Sequence, residues 1–259
     1  MLFSSNVLLA RCFSVLALVG CSIAMVGCGD SNRSTGEMGN LEYSLFAEYI
    51  LPGTELVDTP ILVGHPQTIR VYPTSAGSDQ LSSGYVVHNL LPTNGATLTF
   101  SDREQVADLV IDATLPGTYT IESKLDGEVF DRTQLTFEAP TQLEIITWVR
   151  APQEDAFVKS DLDVVLTEEG TQVALLPIPL NASGDRIAGD FIPSVSADRE
   201  GALVFNRNVL GIYEQQVASS SSPTNFYLVE SGQIVVQIAD SVNNIVETLT
   251  FNVSESELP

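Results

Sequence analysis

Two histidines are the residues of this 259-residue chain best suited to acid–base chemistry, because an imidazole changes its charge near neutral pH. A nucleophilic site would place a serine or cysteine beside one of them. His65 lies between Gly64 and Pro66, a turn-like setting, and His88 ends an apolar run of strand type. The sequence contains no Gly-x-Ser-x-Gly elbow. We therefore interpret both histidines as surface or turn residues, predict no catalytic residue, and do not expect an enzyme.

Acidic side chains suggest calcium as a second kind of chemistry, because calcium is bound by several carboxylate and carbonyl oxygens. The tripeptide Asp-Arg-Glu occurs at residues 102–104 and again at 198–200, and Asp161 and Asp163 lie between the two copies. It resembles an acidic element of cadherin domain junctions, although the Asp-Asn-rich linker motif of cadherins is absent. Zinc is not expected, because the two histidines have no His-x-x-x-His spacing. We predict no metal site and keep structural calcium as an alternative.

Glycoside hydrolysis by paired carboxylates is a third possibility. With 33 acidic residues some pairs must fall close together, so their number carries no information. Sugar clefts are also lined with aromatic side chains, and Trp148 is the only tryptophan. We expect Trp148 to pack in the core of a second domain or at a domain junction, as large aromatic residues do. No Gly-rich phosphate loop or dinucleotide fingerprint occurs, so no cofactor is expected.

The N-terminal segment has the pattern of a targeting signal rather than of a catalytic or binding site. Arg11 is the only charge in the first 29 residues, and residues 12–27 are almost wholly apolar, too short for a comfortable transmembrane span. The segment ends in Met25, Val26, Gly27 and Cys28, which resembles the lipobox of bacterial lipoproteins. The resemblance implies a signal peptide over residues 1–27, lipid on Cys28, and the membrane as a partner through that anchor.

Cys21 is a rival lipidation site, because Leu18, Val19 and Gly20 precede it in the same pattern. An apolar stretch follows Cys21, whereas a polar run rich in glycine and serine follows Cys28. We therefore favour Cys28 and predict a flexible tether over residues 28–40. An ordinary secretory signal with an incidental cysteine is the remaining alternative. All three cysteines lie within the first 28 residues, so the exported domains must be held by core packing without disulfides.

The charge of the chain is strongly negative, with 11 basic and 33 acidic residues and a net charge of −22. This charge argues against nucleic acid as a partner, because its binding needs neutralised phosphates. It argues equally against an anionic membrane face as a docking partner. Solubility explains most of this charge.

The apolar residues after position 40 recur with a period of two, as at residues 68–72, 96–100, 119–122, 234–238 and 249–253. Such alternation predicts half-buried strands. Turn signals containing glycine separate the runs, and Asp126 with Gly127 predicts a hairpin between residues 119–125 and 128–137. Many short strands with turns between them favour an antiparallel sandwich or barrel.

A proline-containing break at residues 138–141 separates two stretches that each close with two long strands. The segment 116–121, the turn at 126–127 and the segment 134–137 resemble the last two strands of bacterial immunoglobulin-like domains, with Tyr119 at their tyrosine corner. Residues 177–189 resemble a strand–turn–strand segment of the same domains. The resemblance implies an all-β chain of two tandem immunoglobulin-like sandwiches, over 41–139 and 140–259. One large sandwich or jelly roll over 41–253 is the alternative.

These observations predict a non-enzymatic lipoprotein of the cell envelope, lipid-anchored in the outer membrane and facing either the periplasm or the exterior. Its expected role is adhesion, binding or spacing, with an unknown protein or glycan as ligand. The alternatives are a periplasmic assembly or scaffold component and a calcium-dependent accessory module of an envelope enzyme. The functional part of this hypothesis follows from the fold-level resemblance alone.

Overall fold

A computed structural model describes residues 32–47, 49–51, 53–80, 86–103, 106–160, 164–191, 193–205 and 224–255. The signal peptide and both candidate lipidation sites, Cys21 and Cys28, lie outside the described residues. Within them no helix is both long enough and apolar enough to cross a bilayer.

The described chain is almost entirely β-structure, with one six-residue helix, α1 (Ser75–Gln80), and one 3-10 turn, Leu56–Asp58. The strands of the first half are β1 (Arg33–Thr35), β2 (Leu41–Phe46), β3 (Pro60–Leu62), β4 (Gln67–Pro73), β5 (Val86–Leu91), β6 (Ala96–Arg103), β7 (Val106–Ala113), β8 (Gly117–Leu125) and β9 (Glu128–Glu138). Those of the second half are β10 (Gln142–Arg150), β11 (Val158–Ser160), β12 (Val164–Glu168), β13 (Gln172–Leu180), β14 (Ser194–Ala197), β15 (Leu203–Phe205), β16 (Thr224–Leu228), β17 (Gly232–Asp240) and β18 (Ile245–Ser254).

The first half is a sandwich of two sheets, with strand orders β1-β2-β4-β7-β6 and β3-β9-β8-β5. Alternate residues of both sheets point inward, as the period-two pattern predicted. β7 alternates strictly between half-buried and buried residues along its whole length. The inward side chains form one core that includes Tyr43, Ile69, Ile121 and Phe137.

The second half repeats this plan, with strand orders β11-β10-β13-β16-β15 and β12-β18-β17-β14. Its core includes Val173, Phe226, Ile234 and Phe251. In each half a short strand runs parallel to the last strand, β3 on β9 and β12 on β18, while the other pairs are antiparallel. The all-β fold class of two tandem immunoglobulin-like sandwiches is thus confirmed.

A matching turn follows the short parallel strand in each sandwich. In the first, Gly64 N–H donates to the Ala113 carbonyl at the end of β7. In the second, Gly170 N–H donates to the Leu228 carbonyl at the end of β16. Both glycines adopt the left-handed region, with φ of 86° and 82°. The halves therefore share a structural repeat that their sequences do not reveal.

The predicted hairpin between β8 and β9 is confirmed, with the two strands paired along their length. Asp126 and Gly127 form its turn with φ of 53° and 89°. Two successive positive φ angles match the right-handed twist of the flanking strands.

The flexible tether predicted for residues 28–40 needs correction from Asn32 onward. Residues 33–35 form β1, which pairs with β2 at the edge of the first sandwich. The turn after β1 is fixed by the buried Asp131 carboxylate, which accepts hydrogen bonds from the N–H groups of Met38, Asn40 and Leu41 at 2.9, 2.8 and 2.6 Å. A polar composition indicated flexibility, but a carboxylate about ninety positions away orders the segment.

Candidate functional site at the junction of the two sandwiches

The two sandwiches meet through backbone hydrogen bonds rather than through a loose linker. The outer edge of β3 is occupied by Ala188, whose carbonyl accepts from Leu62 N–H at 2.9 Å. Ala188 N–H in turn donates to the Pro60 carbonyl at 2.9 Å. A second pair joins Tyr49 and Gly189, at 3.3 and 2.9 Å. A short segment of the second half therefore extends a sheet of the first.

Side chains cross the junction in both directions. Leu62 belongs to a strand of the first sandwich, but its side chain packs in the core of the second. Ala188 belongs to the second half and packs in the core of the first. Both residues are 0% exposed, so neither core is complete without a residue of the other half.

Gln67 closes the junction with three hydrogen bonds from its buried amide. Its Nε2 donates to the carbonyls of His65 and Asp190 at 3.1 and 3.2 Å, and its Oε1 accepts from Asp190 N–H at 2.6 Å. Gly189 lies against this amide with φ of 143°, and a Cβ there would be 2.6 Å from Gln67 Oε1. Only glycine fits between the two halves at this point.

His65 contributes a polar contact across the junction, beyond the turn position that the sequence suggested. Its Nε2 lies 3.3 Å from Oδ1 of Asp240, and its ring meets Phe191 edge-on with centroids 5.4 Å apart. Asp240 is buried and also accepts from the N–H groups of Val242 and Asn243. The imidazole therefore contacts a carboxylate that the second sandwich already orients.

The interpretation of His88 as a surface or turn residue is wrong. His88 lies on β5, is 6% exposed, and places Nδ1 2.8 Å from Oγ of Ser123. The Tyr43 hydroxyl lies 2.9 Å from the same Oγ. Burial raises the pKa of the Tyr43 hydroxyl well above its usual value, the Ser123 hydrogen bond lowers it, and the Asp131 charge raises it further. The Ser–His pair lies inside the core, where a substrate does not reach it.

Tyr119 occupies the tyrosine-corner position that the sequence suggested. Its hydroxyl donates to the Leu115 carbonyl at 2.9 Å and to the Gly95 carbonyl at 3.1 Å. Its ring meets Phe137 edge-on at 5.5 Å between centroids. A hydroxyl bonded to backbone a few residues upstream is the defining feature of this corner.

Trp148 lies outside both main cores. It is 6% exposed and clusters with Ala174, Leu176 and Ile178, all from β10 and β13 of the second sandwich. Tyr49 of the first half packs against this cluster, so it reaches the junction. Within the described part of the chain, the indole Nε1 has no hydrogen-bond partner.

Of the residues of the calcium alternative, only Asp198, Arg199 and Glu200 are fully described. Asp198 uses Oδ1 to accept from Val235 N–H at 2.9 Å, and Arg199 pairs with Glu230. The side chains of residues 102 and 103, and the whole of residues 104, 161 and 163, lie outside the described set. Among the described residues no group of three or more His, Cys, Asp or Glu side chains could hold a metal ion.

Comparisons with known proteins give structural similarity without a family. No protein-family model and no curated protein matches the sequence. Similar solved structures include the Escherichia coli adhesin FdeC, at 13% identity over 86% of this chain and 65% of that chain, with a TM-score of 0.31. Domains 5–6 of the S-layer protein SbsC match at 11% identity over 81% of this chain and 99% of that chain, TM-score 0.30. Invasin, a bacterial integrin-binding protein, matches at 8% identity, with 84% of this chain, 39% of that chain and a TM-score of 0.29. This chain therefore spans less than two thirds of the FdeC and invasin structures.

Proposed function

We propose that this protein is a non-enzymatic lipoprotein of the cell envelope, anchored in the outer membrane through lipid on Cys28. Its two sandwiches, divided near residues 139 and 140, act as one binding or adhesion module for a protein or glycan ligand. The resemblance of residues 25–28 to a lipobox supports the anchor. The contacts between the two sandwiches support the proposal that they act as one binding module.

The exchange of Leu62 and Ala188 between the two cores carries this proposal. Separating the sandwiches would expose both side chains and break the backbone pairs at Ala188 and Gly189. Burial of apolar side chains and of paired backbone groups favours the joined state. The junction therefore holds the loops of both sandwiches in fixed relative positions, as a preformed binding surface requires.

The edge of β12 is a candidate place for a ligand strand. β12 has the same relation to β18 that β3 has to β9, but no described strand pairs with its outer edge. Leu166 on this strand is 76% exposed, whereas Leu62 on β3 is fully buried by the junction. Exposed sheet edges bind extended segments through backbone hydrogen bonds.

Protease treatment of intact cells tests the proposal, with a Cys28→Ser variant as control. Cleavage of the wild-type protein from outside, with release of the variant from the membrane, supports a surface-displayed lipoprotein. Cleavage only after the outer membrane is opened supports the periplasmic scaffold alternative instead. Retention of the Cys28→Ser variant at the membrane contradicts the anchor.

A further inference from the structure

The point at which the chain enters the described structure is firmly fixed. The carbonyl of Asn32 accepts from Leu45 N–H at 2.9 Å, so the residue extends the pairing of β1 with β2. Its side-chain Nδ2 donates to the carbonyls of Leu51 and Thr54 at 2.6 and 2.7 Å, and its Oδ1 accepts from Leu51 N–H at 2.9 Å. Asn32 is 1% exposed, and these bonds leave it little freedom.

This entry point lies at the junction end of the first sandwich. Asn32 lies opposite Leu45 of β2, and Leu45 is paired with Ile69 of β4. Two residues earlier, β4 begins at Gln67, the residue that bonds Asp190 across the junction. The chain before Asn32 therefore comes in at the waist of the molecule, which we define as the surface around Asn32, Phe46 and Val57.

The reach of the lipid anchor is short. Four residues from Cys28 bring the chain to Asn32, and a fully extended chain covers at most roughly 14 Å over that length. The eleven residues of β9, by contrast, run about 35 Å along the first sandwich, from the far end at Glu128 to the junction at Glu138. An anchor of this length cannot hold the far end of the first sandwich at the bilayer.

We propose that the waist docks on the lipid surface, so that the two sandwiches lie along the membrane instead of standing on it. This inference rests on the proposed function, because it requires lipid on Cys28. The orientation follows from two observations. Only four residues lead from Cys28 to Asn32, and Asn32 lies at the junction end of the first sandwich. A longer tether would leave the orientation open, but residues 32–40, which include β1 and the turn after it, belong to the folded sandwich and leave only residues 28–31 of the predicted tether outside it.

The waist carries side chains suited to a bilayer interface. Phe46, next to Leu45, is 51% exposed, and Val57 in the adjacent 3-10 turn is 38% exposed. The guanidinium of Arg70 lies 4.4 Å from the centroid of the Phe46 ring. Segments that combine exposed phenylalanine or leucine with lysine or arginine are suited to the boundary between headgroups and acyl chains. Glu55 and Asp58 lie in or beside the same turn, so a zwitterionic surface fits better than an anionic one.

Fluorescence quenching in vesicles tests the orientation. The lipidated protein is placed on phosphatidylcholine vesicles whose headgroups carry a nitroxide quencher, with a fluorophore on either Val57→Cys or Glu128→Cys. Residue 128 lies at the far end of the first sandwich, so it is the matched control position. We expect quenching at 57 to exceed quenching at 128 several-fold. A Gly-Ser insert of about twelve residues after Asp30 adds roughly 40 Å of reach and is expected to remove most of that difference.

The outcomes separate this inference from the proposed function. Equal quenching at both positions, or stronger quenching at 128, overturns the orientation. Lipid found on Cys28 of the same protein would still support the anchor. Mass spectrometry that finds no lipid on the protein overturns both. Lipid on Cys21 in place of Cys28 would also overturn both, because the anchor would be at a different residue and its reach would lengthen to about 38 Å.

Discussion

The Leu62 amide donates to the Ala188 carbonyl at 2.9 Å, and the side chains of these two residues lie in each other's hydrophobic cores. Because of this exchange, the junction completes both hydrophobic cores and is not a contact between two domains that are already complete. A hinge would need a surface that can separate without losing buried area. Here separation removes one apolar side chain from each core.

Leu62→Ala should destabilise the second sandwich although the residue belongs to the first. Removal of a fully buried leucine side chain costs about 2–5 kcal/mol, from lost transfer free energy and the cavity left behind. Urea unfolding followed by Trp148 fluorescence reports on the second half. Leu166→Ala is the matched control, because Leu166 lies on the corresponding strand β12 and is 76% exposed, so its free energy of unfolding should change by less than about 0.5 kcal/mol. Equal losses for the two variants would contradict the exchange of side chains.

Gly189→Ala should destabilise the junction by steric conflict with Gln67. The added Cβ would lie 2.6 Å from Gln67 Oε1, which is held by Asp190 N–H. Gly117→Ala is the control, since its φ of 151° is close to that of Gly189 and nothing lies within 4 Å of the added Cβ. The control carries only the backbone cost of about 1–2 kcal/mol, and Gly189→Ala should lose a further 1–3 kcal/mol or so in chemical denaturation. No difference between them would show that Gln67 gives way without cost.

Local features of the fold could be predicted from the sequence because their partners are close along the chain. The hairpin at Asp126 and Gly127 needs only two turn residues between alternating strands. Tyr119 bonds the carbonyl of Leu115, four residues upstream, so its corner position was visible in the segment itself. Period two along the strands was sufficient to predict β-structure, whereas the two sandwiches followed from the resemblance to bacterial immunoglobulin-like domains.

The junction could not be predicted, because its contacts join residues more than a hundred positions apart. His65 and Asp240 are separated by 175 positions, and each looks like an ordinary turn or surface residue in the sequence. His88 was misassigned for a similar reason, since its partner Ser123 lies on another strand. The polar run before β2 indicated a tether, yet the buried Asp131 orders it from the start of the last hairpin strand. The sequence shows that a residue is polar, but it does not show which distant group forms its hydrogen bonds.

Tyr119→Phe should cost about 0.5–1.5 kcal/mol of stability, because the ring keeps its edge contact with Phe137 while the hydroxyl bonds to Leu115 and Gly95 are lost. Urea denaturation measures the loss. Tyr119→Leu removes the aromatic contact as well and should lose more. A phenylalanine variant as stable as the wild type would mean that the corner contributes geometry without net stability.

Tyr43→Phe should change how stability depends on alkaline pH. Burial raises the pKa of the Tyr43 hydroxyl in the folded protein, so the folded state keeps a proton that the unfolded chain releases near pH 10. The contribution is therefore fully present below about pH 10 and is lost as the pH rises further, by at most about 1.4 kcal/mol per pH unit. Phenylalanine has no such proton, so the free energy of unfolding of the variant should fall less steeply above pH 10, while the two proteins keep a constant difference between pH 7 and 8. Urea unfolding of both proteins at intervals from pH 7 to 11 checks this. If the free energies of unfolding of the two proteins differ by the same amount at every pH, the buried Tyr43 hydroxyl is not a source of alkaline instability.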